Sequence, residues 1–462
     1  MVQFNTIAEI LEGVSENDIL FVKFQFSDLD GFFRELEIPA SFLETAFSKG
    51  ILFDSSIGGP SWSVGADVVL KPDPRTFTIV PASDDETDGS RGSSSLARVI
   101  CELNYLDGQP FEGCPRGVLK KIVRKIFQSG YSFTVSTSLS FYLFEAGYNA
   151  ADSDFNPPSR SSFSSHSSLS SPSGSFSLRT GNAAAVEKAK KEILFSISNS
   201  DIDILSFHKG HENGQYAIVF KDGSALRIAD NVLTVKQIIR TASEKYGLHA
   251  SFMPKPMTSK EGLSMPFSFS LLKNEINEFY HPDKEMMLSD SARSFIAGIF
   301  KHVGGICAVS NPTVNSYKRL VKQSEAPHYI TWSTTDRHSL IHVPSSRGRS
   351  TKIELRSPDS SCNPYLALSL IISAGISGIN EHLLPNQPVG FETHDYSESE
   401  KKSLSQGTLP GTFIEAIDKF RSDTILKSVL GDLISNGIIQ KAAAEWDEYV
   451  GCVHQWEVNR YL

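Results

Sequence analysis

Apolar and polar residues alternate through "ILFVKFQFSDLDGFFRELEIP", residues 19–39, near the start of the chain. A period of two is typical of strands with one buried face, and Asp30-Gly31 inside the stretch is a turn signal. The pattern predicts two strands joined by a turn, and therefore a β-rich first unit.

Longer apolar patterns with helical spacing follow. Residues 117–129 carry one apolar stripe backed by lysines and an arginine, and helices are also predicted around 412–421 and 424–449. The run from Tyr365 to Ile379 is apolar on nearly all sides, which is typical of a buried helix, and Asn363-Pro364 before it is a start signal. The stripe of the first helix consists of Val118, Leu119, Ile122, Val123, Ile126 and Phe127.

A serine-rich stretch interrupts these patterns. Twelve of the nineteen residues from 159 to 177 are serine, and such a segment cannot bury enough apolar surface to offset its ordering entropy. We expect residues 157–178 to be a solvated, disordered insertion. Phosphorylation of these serines is the alternative role.

Composition narrows the class of protein. A chain of 462 residues exceeds one ordinary hydrophobic core, so two or more folded units are expected. A net charge of -9 provides no basic field for nucleic acid or anionic membrane, and neither is expected as a partner. Five dispersed cysteines without a CxxC pair indicate a reducing compartment. With no leader-like N-terminus and no apolar run of about 20 residues, we expect a cytoplasmic protein.

One short stretch has the residue types of a metal site. "SFHKGHENGQYAIVF", residues 206–220, places His208, His211 and Glu212 within five positions. The chain has no glycine-rich phosphate loop of the GxxxxGKS or GxGxxG kind, so a nucleotide site would need another design.

Several blocks together resemble the glutamine synthetase family. They are "GILFDSSIGG" (50–59), "FMPKP" (252–256) and the run from "NSYKRLVKQSEAP" to "TKIELRSPDSSCNPYLALSLIISAG" (315–375). The resemblance implies an α+β fold with a small N-terminal β-grasp domain, residues 1–108, and a large catalytic-type domain, residues 109–462. It also implies ATP-dependent phosphorylation of a glutamate γ-carboxylate, followed by displacement by ammonia, with Mg²⁺ or Mn²⁺ held by carboxylates and histidine.

The same resemblance shows that most metal-ligand positions have changed. Glu354, in "KIELR", is the only family ligand that persists. His208 matches a family position that is not a metal carboxylate, and His211 and Glu212 match no ligand, so the cluster is interpreted as a degraded motif. The residues that stand where the other ligands would be are Ser138, Ser140, Gly210, Ala217 and Pro266.

The remaining site positions are better preserved. By resemblance, Arg319, Arg356 and Gly262 are assigned to substrate binding, and Glu325 to the loop that guards the site. A structural salt bridge or a solvated charge is the alternative role for the charged members of the site. Three further residues are assigned to nucleotide binding, namely Arg337, Lys352 and Ser270, while His342 replaces a family arginine.

Three functions remain open at this stage. The first is a catalytically degenerate family member with a scaffold, regulatory or structural role, which needs no cofactor. The second is a divergent ATP-dependent ligase that joins glutamate to ammonia or another amine, using Mg²⁺ or Mn²⁺. The third is a module that binds a carboxylate or amino acid through Arg319 and Arg356. The resemblance also implies self-association into a ring, a hexamer or double hexamer, although "FDSSIGG" is one residue shorter than usual.

Overall fold

Two β-sheets, each packed against helices, organise the chain. The computed structural model describes residues 6–54, 67–80, 96–145, 180–321, 326–390 and 398–462. The serine-rich stretch, Glu325 and the part of "FDSSIGG" after Asp54 lie outside the described residues.

The first sheet has the strand order β2-β1-β6-β4-β3, with β5 paired to β6. β1 and β2 form the antiparallel pair that the alternating pattern predicts, and Gly31 in the turn has a φ of 74°. β1 also pairs in parallel with β6. Residues of these two strands form one hydrophobic core with residues of helices α1 (Ile7–Glu16) and α2 (Leu43–Lys49). The strands are β1 (Phe21–Ser27), β2 (Phe33–Pro39), β3 (Ile51–Phe53), β4 (Val68–Pro72), β5 (Thr78–Val80) and β6 (Leu96–Asn104).

The second sheet is larger and has the order β14-β15-β16-β12-β7-β9-β8. β10 and β11 pair with the long strand β7, and β13 pairs with β12. Its strands are β7 (Tyr131–Glu145), β8 (Ile204–Lys209), β9 (Gln215–Phe220), β10 (Gly223–Ser224), β11 (Leu248–Ser251), β12 (Phe267–Lys273), β13 (Ile276–Asn277), β14 (Trp332–Ser333), β15 (Ile341–His342) and β16 (Ile353–Leu355).

Helices cover one face of the second sheet and extend beyond it. They are α3 (Pro115–Gln128), α4 (Ala183–Ser198), α5 (Ala225–Lys245), α6 (Asp290–Ser310), α7 (Val314–Arg319), α8 (Pro364–Asn380), α9 (Glu398–Leu404), α10 (Phe413–Ser422), α11 (Thr424–Gly451) and α12 (Gln455–Tyr461). α8 is the predicted buried helix, capped by Asn363 with Pro364 in its first turn.

α6 and α8 pack unusually closely because both carry glycine where they cross. A Cβ on Gly378 would lie 2.1 Å from the carbonyl oxygen of Ser294, and one on Gly298 would lie 2.3 Å from that of Ala374. α6 is also the one helix among the described residues that is long and apolar enough to cross a membrane. However, 83% of its most apolar 18-residue window is buried inside the protein.

The stripe predicted for residues 117–129 is partly wrong. α3 begins at Pro115 and ends at Gln128, and its Leu119 is fully buried, but the Phe127 side chain is 73% exposed. Phe127 lies in the last turn of α3, where no other described residue shields its side chain from solvent.

A buried arginine joins the two units. Arg116 on α3 donates from Nε to Asp230 Oδ1 on α5 at 2.9 Å, and from its terminal nitrogens to Glu102 and Asp73 of the first unit, each at 2.9 Å. Tyr365 on α8 donates to the same Asp230 carboxylate at 2.6 Å. One guanidinium therefore neutralises carboxylates from both sides of the boundary.

Candidate functional site

The open face of the second sheet forms the floor of the candidate site. Along β7 the odd-numbered residues from 133 to 139 are buried in the helix-packed core, whereas Ser136, Ser138 and Ser140 are half-buried on the opposite face. This is the period of two that a strand imposes on a sequence whose apolar residues alternate with serine and threonine. The floor is thus lined by hydroxyls rather than carboxylates along its longest strand.

Strand register brings the positions assigned to metal ligands together. Ser140 lies opposite Ala217 on β9, and Ala217 lies opposite His208 on β8. The carbonyl of Pro266, just before β12, accepts a hydrogen bond from Thr137 at 2.7 Å, which places Pro266 next to Ser138. Directly opposed residues in a sheet share a face, so these positions converge although their side chains have no carboxylate.

Glu354 lies on the same floor, in a row that crosses four strands. It is opposite Ser268 on one side and His342 on the other, and Ser268 is in turn opposite Ser136. Arg356 Nη1 donates to Glu354 Oε1 at 3.1 Å, and Ser268 Oγ donates to Oε2 at 3.2 Å. Both carboxylate oxygens of Glu354 therefore already have donors from the protein.

His342 adds a buried imidazole beside this carboxylate. Its side chain is 9% exposed, and burial lowers the pKa of the imidazole, although the charge of Glu354 opposes that shift. His342 Nδ1 has no hydrogen-bond partner among the described residues. At neutral pH the side chain is a neutral imidazole that does not replace the positive charge of an arginine.

The substrate-side residues do meet in one cavity. Arg319, Arg356 and Gly262 line a cavity of about 330 Å³ next to the floor. The stem of Arg319 runs across Gly262 so closely that a Cβ there would lie 2.5 Å from Arg319 Cγ, which explains the glycine. Arg319 is 4% exposed and donates to the carbonyl of Ser357, and burial lowers the pKa of its guanidinium while Asp359 opposes the shift.

The rest of this cavity includes residues that the sequence interpretation did not assign. Lys255, Lys260 and Glu261 line it, with Lys255 Nζ donating to the carbonyl of Lys260. Lys255 belongs to the quoted block "FMPKP", but no local pattern indicated that its side chain would turn into the cavity.

The histidine-glutamate cluster does not converge on one point. Glu212 accepts a hydrogen bond from Lys260 at 2.7 Å, and His211 is 3.8 Å from Glu261 with 86% of its side chain exposed. His208 is exposed on β8, with Nδ1 3.2 Å from Ser206 Oγ. Each member of the cluster has a different neighbour.

The residues assigned to nucleotide binding are mostly engaged in structural contacts. Lys352 Nζ is 2.6 Å from Asp222 and 3.2 Å from Ser136 Oγ, and the buried Ser270 hydroxyl donates to the carbonyl of Thr351 at 2.8 Å. Arg337 is exposed, near enough to His342 to influence its pKa. The hydrogen bonds and charges described for Arg337, Lys352 and Ser270 therefore join each of them to a different group.

The residues present do not fit a pair of hard divalent cations. Mg²⁺ and Mn²⁺ require several oxygen ligands, chiefly carboxylates. Across the described ranges no group of three or more His, Cys, Asp or Glu side chains could hold a metal ion. At Gly210 the space for a larger side chain is filled, because a Cβ would lie 2.5 Å from Gln215 Oε1.

Residues 18–104 match the family model for the glutamine synthetase β-grasp domain, and residues 112–461 match that for the glutamine synthetase catalytic domain. The chain is 36% identical to a glutamine synthetase of Methanosarcina mazei, over 100% of the chain and 99% of that protein. It is 37% identical to one from Thermus thermophilus, over 99% of both chains.

Solved structures show the same fold. The chain is similar to a structure described as a GmaS/ADP complex, with a TM-score of 0.79 and 24% identity over 98% of both chains. It is also similar to GmaS without ligand, with a TM-score of 0.78, over 98% of this chain and 99% of that one.

Proposed function

This chain belongs to the glutamine synthetase family, and we propose that it is a member that binds a small carboxylate without carrying out metal-dependent ligation. In this proposal the protein acts as a scaffold or regulator. The substrate-side arginines keep a binding role, and the phosphoryl-transfer half of the site has lost its function.

The ion pair between Arg356 and Glu354 carries this proposal. Glu354 is the one ligand position of the resemblance that still has a carboxylate, and its two oxygens accept from Arg356 at 3.1 Å and from Ser268 at 3.2 Å. A guanidinium thus supplies the positive charge that a metal ion would supply. The neighbours of Glu354 across the sheet, Ser268 and His342, add no second carboxylate.

The loss of bound divalent cations would have a large effect on the rate of phosphoryl transfer. Divalent cations bridge and neutralise the transferring phosphoryl group, and each is worth several kcal/mol of transition-state stabilisation. Because about 1.4 kcal/mol corresponds to a tenfold change in rate, a site without them would be slower by many orders of magnitude. Serine hydroxyls and a proline do not restore that charge.

A second candidate is favoured by the comparisons themselves. The full-length relatives named above are glutamine synthetases, and this likeness supports ligase activity more than an inactive role. In that candidate the chain is a divergent ligase for glutamate and ammonia or another amine, and it uses ATP with Mg²⁺ or Mn²⁺. Arg319 and Gly262 would hold the substrate, and Arg356 would turn from Glu354 toward the transferred group.

One experiment separates the two candidates. Phosphate release from ATP is measured with glutamate and ammonia, in Mg²⁺ and in Mn²⁺, for the natural chain and for Glu354→Ala. The first proposal expects no turnover from either protein. Turnover that requires all three substrates and disappears in Glu354→Ala would establish the ligase.

Calorimetry then tests whether the chain binds glutamate or ATP. Glutamate binding in the absence of ATP and metal, weakened by Arg319→Gln, would support the carboxylate-binding role. The matched control is Arg349→Gln, because Arg349 is not among the residues that line the cavity. If neither ATP nor glutamate binds, a scaffold role alone remains.

Assembly and location complete the proposal. We expect a homo-oligomeric ring, a hexamer or double hexamer, in the cytoplasm. Exposed apolar side chains near the C-terminus, including Val453, Trp456 and Tyr461, provide surface for such contacts. Light scattering at micromolar concentration tests this, and a monomer would contradict it.

A further inference from the structure

A second and larger cavity, of about 480 Å³, lies behind the segment "FMPKP". Pro254 lines this cavity and the next residue, Lys255, lines the first one. Asn315, also in the wall of the second cavity, holds that segment by bonding the backbone N and O of Lys255 at 2.7 and 3.0 Å. The two cavities therefore share one wall but are separate spaces.

Lys236 is the unusual residue of this cavity. Its side chain is 3% exposed, yet its ammonium donates only to the carbonyl of Cys362 at 3.1 Å, as far as the described residues go. An ammonium has three N–H donors, and burying it without an anion is unfavourable. Its Nζ also lies 5.8 Å from the ring centre of Phe252, a cation–π contact, but no carboxylate of the described ranges lies within ion-pair distance of it.

The other charges of the wall do not compensate Lys236. The guanidinium carbon of Arg240 lies 4.6 Å from the ring centre of Phe32 and 4.9 Å from that of Phe252. Both aromatic rings therefore contact this guanidinium. Asp30, the carboxylate of the lining, is paired with Lys441. Because Asp30 already binds Lys441, it does not offset the positive charge of Lys236.

Most of the remaining wall is apolar. Phe252, Val309, Leu366 and Ile438 come from four different segments and surround the space next to Lys236. A volume of a few hundred Å³ with apolar walls and few polar groups is typical of a small-molecule site. A single buried ammonium balances a ligand with one negative charge, whereas a phosphate ester would bring two negative charges into the cavity.

We infer that this cavity is a binding site for a small apolar monocarboxylate, aliphatic or aromatic. The carboxylate accepts hydrogen bonds from Lys236 Nζ, and the apolar body of the ligand lies against Phe252 and Leu366. The site is separate from the Arg319 cavity and does not depend on the function proposed for that cavity.

Phenylacetate is the probe for this site, with the full chain labelled at the methionine methyl groups for NMR. Met253 lines the cavity, whereas Met286 does not, so saturable binding should shift the methyl signal of Met253 and leave that of Met286 in place. Lys236→Met keeps the length of the side chain and removes the charge. It should weaken binding roughly tenfold or more, because hydrogen bonds to charged groups are lost.

Arg356→Met is the control, since it alters the first cavity and leaves the second intact. The inference is overturned by absence of saturable binding, by unchanged affinity in Lys236→Met, or by a loss of binding confined to Arg356→Met. If Lys236→Met does not fold, Ala442→Leu serves instead, because it fills the cavity from α11 and keeps the lysine. Unchanged phenylacetate binding in Ala442→Leu would equally overturn the inference.

Discussion

Glu354, the residue assigned to a metal-ligand position by resemblance, has an arginine as its partner. In this chain its carboxylate binds the Arg356 guanidinium, so the arginine is held by an internal anion. An external carboxylate must compete with Glu354 for the same donors. Under the proposed carboxylate-binding role, we therefore expect Glu354 to weaken ligand binding in the Arg319 cavity.

This competition can be measured with Glu354→Gln. Removing the negative charge while keeping the side-chain shape frees Arg356, and we expect glutamate to bind roughly three to ten times more tightly, since charge-assisted hydrogen bonds are about twice as strong as neutral ones. Calorimetry gives the affinity. Weaker binding in Glu354→Gln would mean that Glu354 positions Arg356 for the ligand instead of competing with it.

Lys236 makes a second residue-scale prediction, on stability against pH. Burial lowers the pKa of this lysine from 10.5 to about 8. Between those values the unfolded chain holds a proton that the folded protein has released, so the free energy of unfolding contributed by this group rises with pH across that window.

The shift in the pKa of Lys236 sets the size of this effect. The free energy of unfolding should rise by about 2–3 kcal/mol between pH 8 and 10.5. Burial raises the pKa of Cys307 and of Cys362 to about 12, so these thiols lose protons in the same pH window only when the chain unfolds. The quantity to measure is therefore the difference between the natural chain and Lys236→Met. Urea unfolding at several pH values gives it. A difference that does not change with pH would show that the buried lysine keeps its proton.

Glycines on two helices decide how closely α6 and α8 approach. At Gly378 an added methyl group would meet the carbonyl oxygen of Ser294 at 2.1 Å, which is backbone and has little freedom to move. Close packing of this kind tolerates volume changes poorly. Residues of both helices belong to the core that packs against the second sheet.

Gly378→Ala should therefore destabilise the protein, by about 1–3 kcal/mol or more, because the two helices must separate. Gly451→Ala is the matched control, since Gly451 is also helical but its Cβ would meet nothing within 4 Å. That variant should be neutral or slightly more stable, as alanine favours helices. Chemical denaturation measures both, and equal stabilities would contradict the packing argument.

The molecule as a whole is joined through Arg116. This one side chain, 2% exposed, contacts Asp73 and Glu102 from the first unit and Asp230 from the second. Its charge is compensated several times over, and the nearby carboxylates raise the pKa of the guanidinium well above its usual value, against the effect of burial.

Arg116→Met should destabilise the protein by about 3–5 kcal/mol, because removal of one partner leaves buried carboxylates without a counter-charge. Lys120→Met is the control. Lys120 also contacts Glu102, but its side chain is 47% exposed, and the loss of a surface pair changes stability by about 1 kcal/mol or less. Similar unfolding midpoints for the two variants would show that water reaches the Arg116 cluster.

The sequence by itself determined the family, the α+β fold, the β1–β2 pair and the buried helix α8. The family and the fold follow from the resemblance of short sequence blocks. The strand pair and the helix follow from periodicity and capping, because strand alternation and helix caps depend on residues that are neighbours along the chain. It also showed which residue types stand at the positions that the resemblance assigns to metal ligands, since a serine at 138 or a proline at 266 is read directly.

Only the tertiary structure decided which partners those residues have. The Arg356–Glu354 pair, the Gln215 side chain over Gly210, and the binding of Lys352 to Asp222 all depend on strand register and side-chain direction. The cavity around Lys236 is built by segments hundreds of residues apart, from Leu29 to Ala442. Local sequence patterns do not predict such contacts, because the residues involved are far apart along the chain and only tertiary packing brings them together.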